Sequence, residues 1–291
     1  MRKLFLVLAL CSYVVNLWAQ DGAISVKVTG NGSPLILLPG YACSGEVWNK
    51  TVDQLKGQFE CHVITYAGNA GIAPVDIPWM VKVEDAIVAY IAKNKLKKPK
   101  VMGHSIGATF GIALCAKNSD LFSKLIIVDE LPCIGMVMFP NFTPDMITFD
   151  SPYNRQLLNM DEGAFKEMIS QMANGMCREK EKQRLITDWM VKADRKTYVY
   201  GYTELLKTDL RKELTLVKVP TLILASTLYP SKDQIEKNYT EQYTNLQNKS
   251  IVYVEGAAHF IMFDQPEIFI REVTHFLSNS AVSDLNVSPK N

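Results

Sequence analysis

The chain has 291 residues, of which 48% are hydrophobic and 21% are charged, and its formal net charge is +1. This composition is typical of a globular protein with one sizeable core. A net charge so close to zero excludes a global field that would recruit nucleic acid or an anionic membrane.

The first 20 residues predict a secretory signal peptide. Arg2 and Lys3 form a basic start, Leu4–Leu10 form an apolar run, and Ala19 offers a small residue for cleavage. An uncleaved membrane anchor is the alternative, but the uninterrupted apolar run is short and Asn16 lies beyond it. We therefore expect cleavage near Ala19 or the next residue, and export to the periplasm or the extracellular space. The mature chain would have a net charge of −1, because the removed segment carries two basic residues and no acidic ones. We expect no stable membrane span after this cleavage.

Five cysteines remain after such a cleavage. They are scattered, odd in number and without any C-x-x-C pair, so they indicate neither a zinc site nor a disulfide framework. These residues are Cys43, Cys61, Cys115, Cys133 and Cys177.

Short apolar segments along the chain predict strands, and helical spacing follows several of them. The strands are predicted in AISVKVTG, LILL, CHVITY, KVMGHS, KLIIVDE, PTLILAS and SIVYVEG, and helices in Val83–Asn94 and IGATFGIALCAKN. Because these strands are apolar on both faces, we expect an α/β fold whose mostly parallel central sheet is covered by helices on both faces. Residues 21–130 and 215–277 would form this core, followed by a loosely ordered tail over residues 278–291.

Residues 131–214 interrupt the alternation of strands and helices. The segment has no convincing buried strand, is rich in methionine, and predicts helices over Glu162–Met176, Glu179–Lys192 and Thr197–Lys207. Its position after the strand that ends at Asp129 favours a helical lid over the ends of the strands. Helices packed on the flank of the sheet are the alternative.

The stretch VMGHSIGATFG places the pattern G-x-S-x-G where a strand ends and a helix begins. A tight bend crowds the positions two before and two after Ser105, and this explains the need for glycine at Gly103 and Gly107. Such a bend exposes the hydroxyl at the carboxyl edge of the sheet, and the following helix directs its first amides toward developing negative charge. Ser105 is therefore a candidate nucleophile.

Two backbone amides are candidates for an oxyanion hole. A predicted strand ends in Pro-Gly within LILLPGY, and the next N–H belongs to Tyr41. The second donor would be the amide of Ile106, directly after the serine.

One of the four histidines suits the role of general base. His62 lies within a predicted strand, His275 falls on the terminal helix, and His104 adjoins the serine, where the bend turns its side chain away. His259 remains, in a loop after the last strong strand. In the same stretch Asp264 and Glu267 are alternative acids, but we expect FDQPE to cap the terminal helix, with Pro266 in its first turn.

The stretches LPGY, GHSIG, PTLILAS and GAAHFIMFDQPEIF together resemble the α/β-hydrolase superfamily, and the resemblance extends over about residues 24–277. It implies Ser105 as nucleophile, His259 as its base, and Tyr41 and Ile106 as oxyanion donors. These motifs are specific for the fold and for serine chemistry, but not for a substrate.

The acid that orients the histidine departs from the family's pattern. In most relatives it follows the strand matching PTLILAS, in a segment that reads roughly Gly-x-x-Asp, but here Ser226 replaces the glycine and Tyr229 occupies the acid's place. Asp233 comes four residues late, where a surface helix is expected to begin. Asp129 and Glu130 end the strand after the nucleophile's helix, and some hydrolases with this fold supply their acid from there. Because a histidine base needs an acceptor at Nδ1, we expect Asp129 first, then Asp233, then Glu130.

These features predict an exported serine hydrolase that cleaves an ester, thioester or amide bond of a small molecule through an acyl-enzyme, without metal or cofactor. The methionine-rich segment suggests a hydrophobic acyl or alkyl group. One alternative is an exported aminopeptidase-like hydrolase, for which the sequence lacks a motif to hold an amine. The other is a non-catalytic binding protein on a hydrolase fold, against which the intact serine, histidine and glycines argue.

Overall fold

A computed structural model of the protein describes residues 18–228 and 230–279, with the backbone alone at residues 18–21. Residues 1–17 of the predicted signal peptide, Tyr229 at the acid's usual place, and residues 280–291 of the predicted tail lie outside the described residues.

The described residues form eight strands and eleven α-helices, besides three short 3₁₀-helices at Gly45–Trp48, Pro144–Met146 and Glu213–Leu216. The strands are β1 (Trp18–Asp21), β2 (Ile24–Thr29), β3 (Ser33–Leu38), β4 (Phe59–Tyr66), β5 (Lys100–His104), β6 (Lys124–Val128), β7 (Thr221–Ser226) and β8 (Lys249–Val254). The helices are α1 (Asn49–Leu55), α2 (Trp79–Lys93), α3 (Ile106–Lys117), α4 (Gly135–Met138), α5 (Pro152–Asn159), α6 (Glu162–Met176), α7 (Lys180–Lys192), α8 (Arg195–Lys207), α9 (Lys232–Gln242), α10 (Ile261–Asp264) and α11 (Pro266–Ser278).

All eight strands belong to one sheet, in the order β1-β2-β4-β3-β5-β6-β7-β8. The β1–β2 and β2–β4 pairs are antiparallel, whereas every other neighbouring pair is parallel. Strand β7 is buried along its whole length, as a strand covered on both faces must be. The predicted α/β fold with a mostly parallel sheet is confirmed.

The sheet has its topological switch at β3. The chain leaves β3 to form β4 on one side, and it then crosses to form β5 on the other side. Leu38 at the end of β3 is paired with Gly103 near the end of β5. The loops that follow β3 and β5 therefore start side by side and run in opposite directions, which leaves a crevice between them. Open α/β sheets bind ligands in such a crevice.

Between β6 and β7 the chain forms a helical insertion (residues 131–214), which contains α4 to α8. The helix predicted over Glu162–Met176 is α6 with the same bounds, because its apolar residues recur at helical spacing. Apolar spacing does not predict helix α5, since its eight residues carry few apolar positions. A helix-start signal is nevertheless present, because the Ser151 hydroxyl accepts from the N–H of Asn154 at 3.0 Å and Pro152 opens the first turn.

Within residues 18–228 and 230–279, no helix combines the length and apolar character needed to cross a bilayer. The five cysteines of that part of the chain are all buried and carry free thiols.

Candidate active site

Ser105 stands at the sharp bend between β5 and α3. Its backbone angles are φ 52° and ψ −129°, a strained conformation for a residue other than glycine. The bend is held by the Ser105 N–H, which donates to the carbonyl of Val128 on the neighbouring strand at 3.0 Å. The serine side chain lies at the wall of a cavity, at the carboxyl end of the sheet.

The two flanking glycines allow backbone atoms to approach more closely than any side chain permits. A Cβ at Gly103 would lie 2.1 Å from the carbonyl oxygen of Gly107. A Cβ at Gly107 would in turn lie 2.4 Å from the carbonyl oxygen of Leu38. The first turn of α3 therefore packs directly on the ends of both β5 and β3.

This packing brings the two candidate oxyanion donors onto adjacent elements. Tyr41 follows the end of β3, and Ile106 is the first residue of the twelve-residue helix α3. The loop before Tyr41 is equally tight, because a Cβ at Gly40 would lie 2.6 Å from Nδ1 of His104. At the start of α3 the Ile106 amide also adds the partial positive charge of a helix N-terminus.

His259 lies in the loop after β8 and is hydrogen-bonded to Asp129. The two residues are joined by Nδ1 and Oδ2 at 2.8 Å. Asp129 and His259 line the same cavity as Ser105. In the described part of the chain, neither Nε2 of His259 nor Oγ of Ser105 is occupied by a hydrogen bond. Both atoms are therefore available to a substrate.

The Asp129 carboxylate is fixed by partners from three elements. Its Oδ1 accepts from the Ser226 N–H at the end of β7 at 2.8 Å and from the Tyr239 hydroxyl on α9 at 3.2 Å. Oδ2 is left for His259. Asp129 itself has φ 49°, which turns the chain abruptly after β6. A carboxylate bound in this way holds the imidazole in one orientation and one tautomer.

Neither of the other two candidate acids is hydrogen-bonded to His259. Asp233 is exposed in the first turn of α9, the surface helix expected from its neighbours. Glu130 is buried, and its Oε1 accepts from the N–H of the next residue, Leu131, at 2.8 Å. Among the described residues, Asp129 alone supplies a carboxylate oxygen to His259.

The electrostatics of the pair favour an imidazolium at His259. Burial lowers the pKa of His259, but the hydrogen bond and the negative charge of Asp129, aided by the charge of Glu130, outweigh burial and raise this pKa above its usual value. A base with a raised pKa accepts a proton more readily, and it loses its function at low pH because it is then already protonated.

His104 positions the histidine loop instead of serving as a base. Its side chain is buried, its Nε2 lies 3.0 Å from the carbonyl oxygen of His259, and the two rings are 4.5 Å apart. Because a carbonyl can only accept, Nε2 carries the proton. Burial, and then the nearby charge of His259, keep the pKa of His104 well below the usual value, so this residue stays neutral.

Asp264 also fastens the histidine loop, and the sequence did not reveal this. Its Oδ2 accepts from the N–H of Ala258 at 2.8 Å, and its Oδ1 accepts from the N–H of Arg178 at 2.8 Å and from the Cys177 thiol at 3.2 Å. The terminal helix α11 begins at Pro266 with Gln265 at its N-cap, so FDQPE does open this helix, although Gln265 makes no side-chain capping hydrogen bond. Asp264 instead joins the loop of His259 to the end of α6.

The Tyr41 side chain ties the candidate oxyanion loop to the helical insertion. Its hydroxyl donates toward the carbonyls of Thr197, at 2.8 Å, and Tyr198. The same hydroxyl accepts from the N–H of Tyr202 at 3.0 Å. Gly201 provides the room, since a Cβ there would lie 3.2 Å from the Tyr41 ring.

A cavity of about 710 Å³ connects these groups with the helical insertion. Its walls are mainly apolar, and five of the insertion's methionines contribute to them. Insertion residues in the wall include Met138, Phe139, Met146, Met172, Met176 and Met190. The helical insertion therefore faces the carboxyl ends of the strands, where Ser105 lies.

A metal centre has no evident ligand set here. Over residues 18–228 and 230–279, no three His, Cys, Asp or Glu side chains are grouped so that they could hold a metal ion.

The sequence matches the model of the alpha/beta hydrolase family over residues 35–272. A curated relative from Aeromonas hydrophila, a pimeloyl-[acyl-carrier protein] methyl ester esterase, is 23% identical over 269 residues, which cover 88% of this chain and 99% of the relative. An N-formylmaleamate deformylase from Pseudomonas putida is 23% identical over 261 residues, which cover 88% of this chain and 93% of the relative.

Solved structures show the same fold. The enol-lactonase from Burkholderia xenovorans superposes with a TM-score of 0.73 at 18% identity, over 88% of this chain and 96% of that one. An esterase from Exiguobacterium antarcticum superposes with a TM-score of 0.75 at 18% identity, also over 88% of this chain and 96% of the other.

The packing of the elbow predicts the effect of one added methyl group. Gly103→Ala should lower the free energy of unfolding by about 2–4 kcal/mol, because its Cβ meets backbone that cannot move aside. Gly175→Ala is the matched control, since Gly175 is exposed in α6 and a Cβ at this position would have no heavy atom within 4 Å. This control should gain about 0.5 kcal/mol from helix propensity. Urea unfolding measures the free energy of unfolding of both variants. Equal unfolding midpoints for the two would contradict the packing described.

Proposed function

Because the chain belongs to the α/β hydrolase family, we propose that it is an exported serine hydrolase of carboxylic esters that works through an acyl-enzyme. The observation that carries this proposal is the hydrogen bond between His259 and Asp129 in the cavity that also holds Ser105. The elbow, the base and the acid come from three different loops at one edge of the sheet, and a binding protein would have no need to fix them in this way.

In the first half of the reaction, Oγ of Ser105 bonds to the ester carbonyl carbon as its proton passes to Nε2 of His259. The electron pair of the carbonyl moves to its oxygen, and the N–H groups of Tyr41 and Ile106 stabilise this oxyanion. Collapse of the intermediate breaks the bond to the alcohol oxygen, which takes the proton from His259. Ser105 is then acylated.

In the second half, water takes the place of the alcohol. His259 removes a proton from the water as the water oxygen bonds to the acyl carbon. The N–H groups of Tyr41 and Ile106 bind the second oxyanion. Breaking the bond to Oγ releases the carboxylic acid and returns the proton to Ser105. Throughout, Asp129 stabilises the positive charge on the imidazole and keeps its Nε2 toward the reacting atoms.

An apolar acyl or alkyl group suits the cavity, and the helical insertion is its lid. The methionine-lined walls are flexible and polarisable, and they can adapt to chains of different shape. Two relatives, both below 25% identity, are named for an ester and a deformylation, so cleavage at an acyl carbon is common to them. That shared chemistry supports an ester as the substrate class.

Ser105→Ala should abolish labelling by a fluorophosphonate and reduce kcat for a p-nitrophenyl ester by about a thousandfold or more, because the triad acts as a unit. Ser123→Ala is the control, because Ser123 lies just before β6 at the amino end of the parallel strands. This variant should keep the fluorophosphonate labelling and the wild-type kcat. A Ser105→Ala enzyme with a tenth of the wild-type rate would rule out the nucleophile.

The same assay over p-nitrophenyl esters of increasing chain length tests the apolar pocket. Longer chains should give a higher kcat/KM than acetate until the cavity is filled, because each buried methylene adds apolar contact. A preference for acetate would contradict the apolar acyl group and leave the serine chemistry standing.

Asp129→Asn should reduce kcat at neutral pH by about 10³- to 10⁴-fold, because the amide can hold His259 in the wrong tautomer. The remaining activity should extend to lower pH, since losing the carboxylate lowers the pKa of His259 and leaves it unprotonated there. Asp233→Asn removes an exposed carboxylate and should change kcat by less than about twofold. The pH profiles of kcat for the wild type and the two variants test whether Asp129 is the acid. A large loss of kcat in Asp233→Asn alone would assign that role to Asp233.

Export rests on the basic and apolar start of the sequence. Cleavage near Ala19 would remove part of β1, an edge strand that pairs with β2 alone, so the parallel sheet would be unaffected. N-terminal sequencing of the protein from the producing cells should find a chain that begins near residue 20. A full-length chain retained inside the cells would contradict export.

A further inference from the structure

A glutamate in the cavity wall has one carboxylate oxygen that makes no hydrogen bond within the described residues. Glu130 follows Asp129 directly, is 5% exposed and contributes to the cavity wall. Its Oε1 accepts from the N–H of Leu131. Its Oε2 has no hydrogen bond to any residue in the ranges 18–228 and 230–279, and it is not among the fully enclosed unpaired atoms of that part of the chain, so it keeps some accessible surface. In a wall that is otherwise mainly apolar, this oxygen is a strong acceptor that the protein leaves unused.

The polar groups around Glu130 are already engaged with other atoms. The hydroxyl of Tyr239 on α9 donates to Asp129, and the hydroxyl of Tyr243 donates to the backbone carbonyl of Glu130. From α8, the Tyr202 hydroxyl lies 3.5 Å from the sulfur of Met138. His259 gives its Nδ1 to Asp129. No lysine or arginine side chain contacts the carboxylate within the described residues.

This environment destabilises the free carboxylate. Burial raises the pKa of Glu130 to about 7, the hydrogen bond from Leu131 and the charge of His259 lower it, and the charge of Asp129 raises it. Because Glu130 is buried except where it borders the cavity, its carboxylate is hydrated less than it would be in water. A ligand that brings a donor to Oε2 would restore that lost interaction.

We propose that Glu130 binds a hydrogen-bond donor, a hydroxyl or an amine, carried by the substrate close to the scissile ester. The inference rests on the proposed function, because the donor would be held in the cavity that contains Ser105. Glu130 is then a specificity-determining residue, and the substrate combines an apolar chain with one polar substituent. A site built to hydrogen-bond a substrate group rejects the analogue that lacks it much more strongly than an apolar wall can.

The test compares four small esters that differ by one group: ethyl butyrate, ethyl 3-hydroxybutyrate, ethyl 3-aminobutyrate and 2-hydroxyethyl butyrate. Acid release gives kcat/KM for each, and the ratio to ethyl butyrate cancels any general loss of activity in a variant. The wild type should favour at least one donor-bearing ester by about tenfold or more. In Glu130→Leu that ratio should fall to about one.

Two further variants distinguish an amine donor from a hydroxyl donor and control for the loss of one negative charge. Glu130→Gln keeps an acceptor without charge, so it should lose a preference for the amine and retain part of a preference for a hydroxyl. Glu241→Gln makes the same change on the exposed face of α9 and should keep the wild-type ratios. Fluorophosphonate labelling of each variant reports that its site is folded.

A wild type that hydrolyses ethyl butyrate but favours none of the three donor esters would overturn the inference and leave the proposed function intact. A preference that survives in Glu130→Leu would overturn it as well. If the wild type hydrolyses none of the four esters, the inference fails, and fluorophosphonate labelling of Ser105 then decides whether the proposed function fails with it.

Discussion

The close approach of α3 to the ends of β3 and β5 is the constraint on which the rest of the site depends. It requires glycine at positions 103 and 107, because any Cβ there would lie within 2.4 Å of backbone atoms. The same approach forces Ser105 into a strained conformation that its neighbours maintain. Strain of this kind is tolerable only where the surrounding packing is rigid, and the buried parallel strands on both sides provide that rigidity.

The candidate acid of the triad is held by the same sheet. Asp129 directly follows β6, the strand next to the elbow, and Ser226 at the end of β7 and Tyr239 on α9 donate to it. The two strand ends are neighbours in the sheet, so a carboxylate from either can reach the loop of His259. In this chain the carboxylate that contacts the imidazole comes from the end of β6.

Local sequence patterns predicted the fold well, because each depends on residues close together in the chain. The bounds of α6, the parallel strands and the elbow all follow from spacing or from glycine at fixed offsets. The contacts that the sequence did not reveal join residues that are far apart in the chain. Asp264 binds residues 177 and 178, and Glu130 lines a cavity whose other walls come from distant helices. A pattern within one segment carries no record of such contacts, which tertiary packing alone creates.

The Tyr41 hydroxyl sits within one turn of α8, between the carbonyls of Thr197 and Tyr198 and the N–H of Tyr202. The backbone amide of the same residue is the candidate oxyanion donor, so the wall that shapes the pocket and the group that stabilises charge share one rigid link. The shape of the cavity and the position of the candidate oxyanion donor are therefore mechanically linked at this point. A shift of α8 would reach the candidate oxyanion loop through Tyr41, just as a shift at the end of α6 would reach the loop of His259 through Asp264.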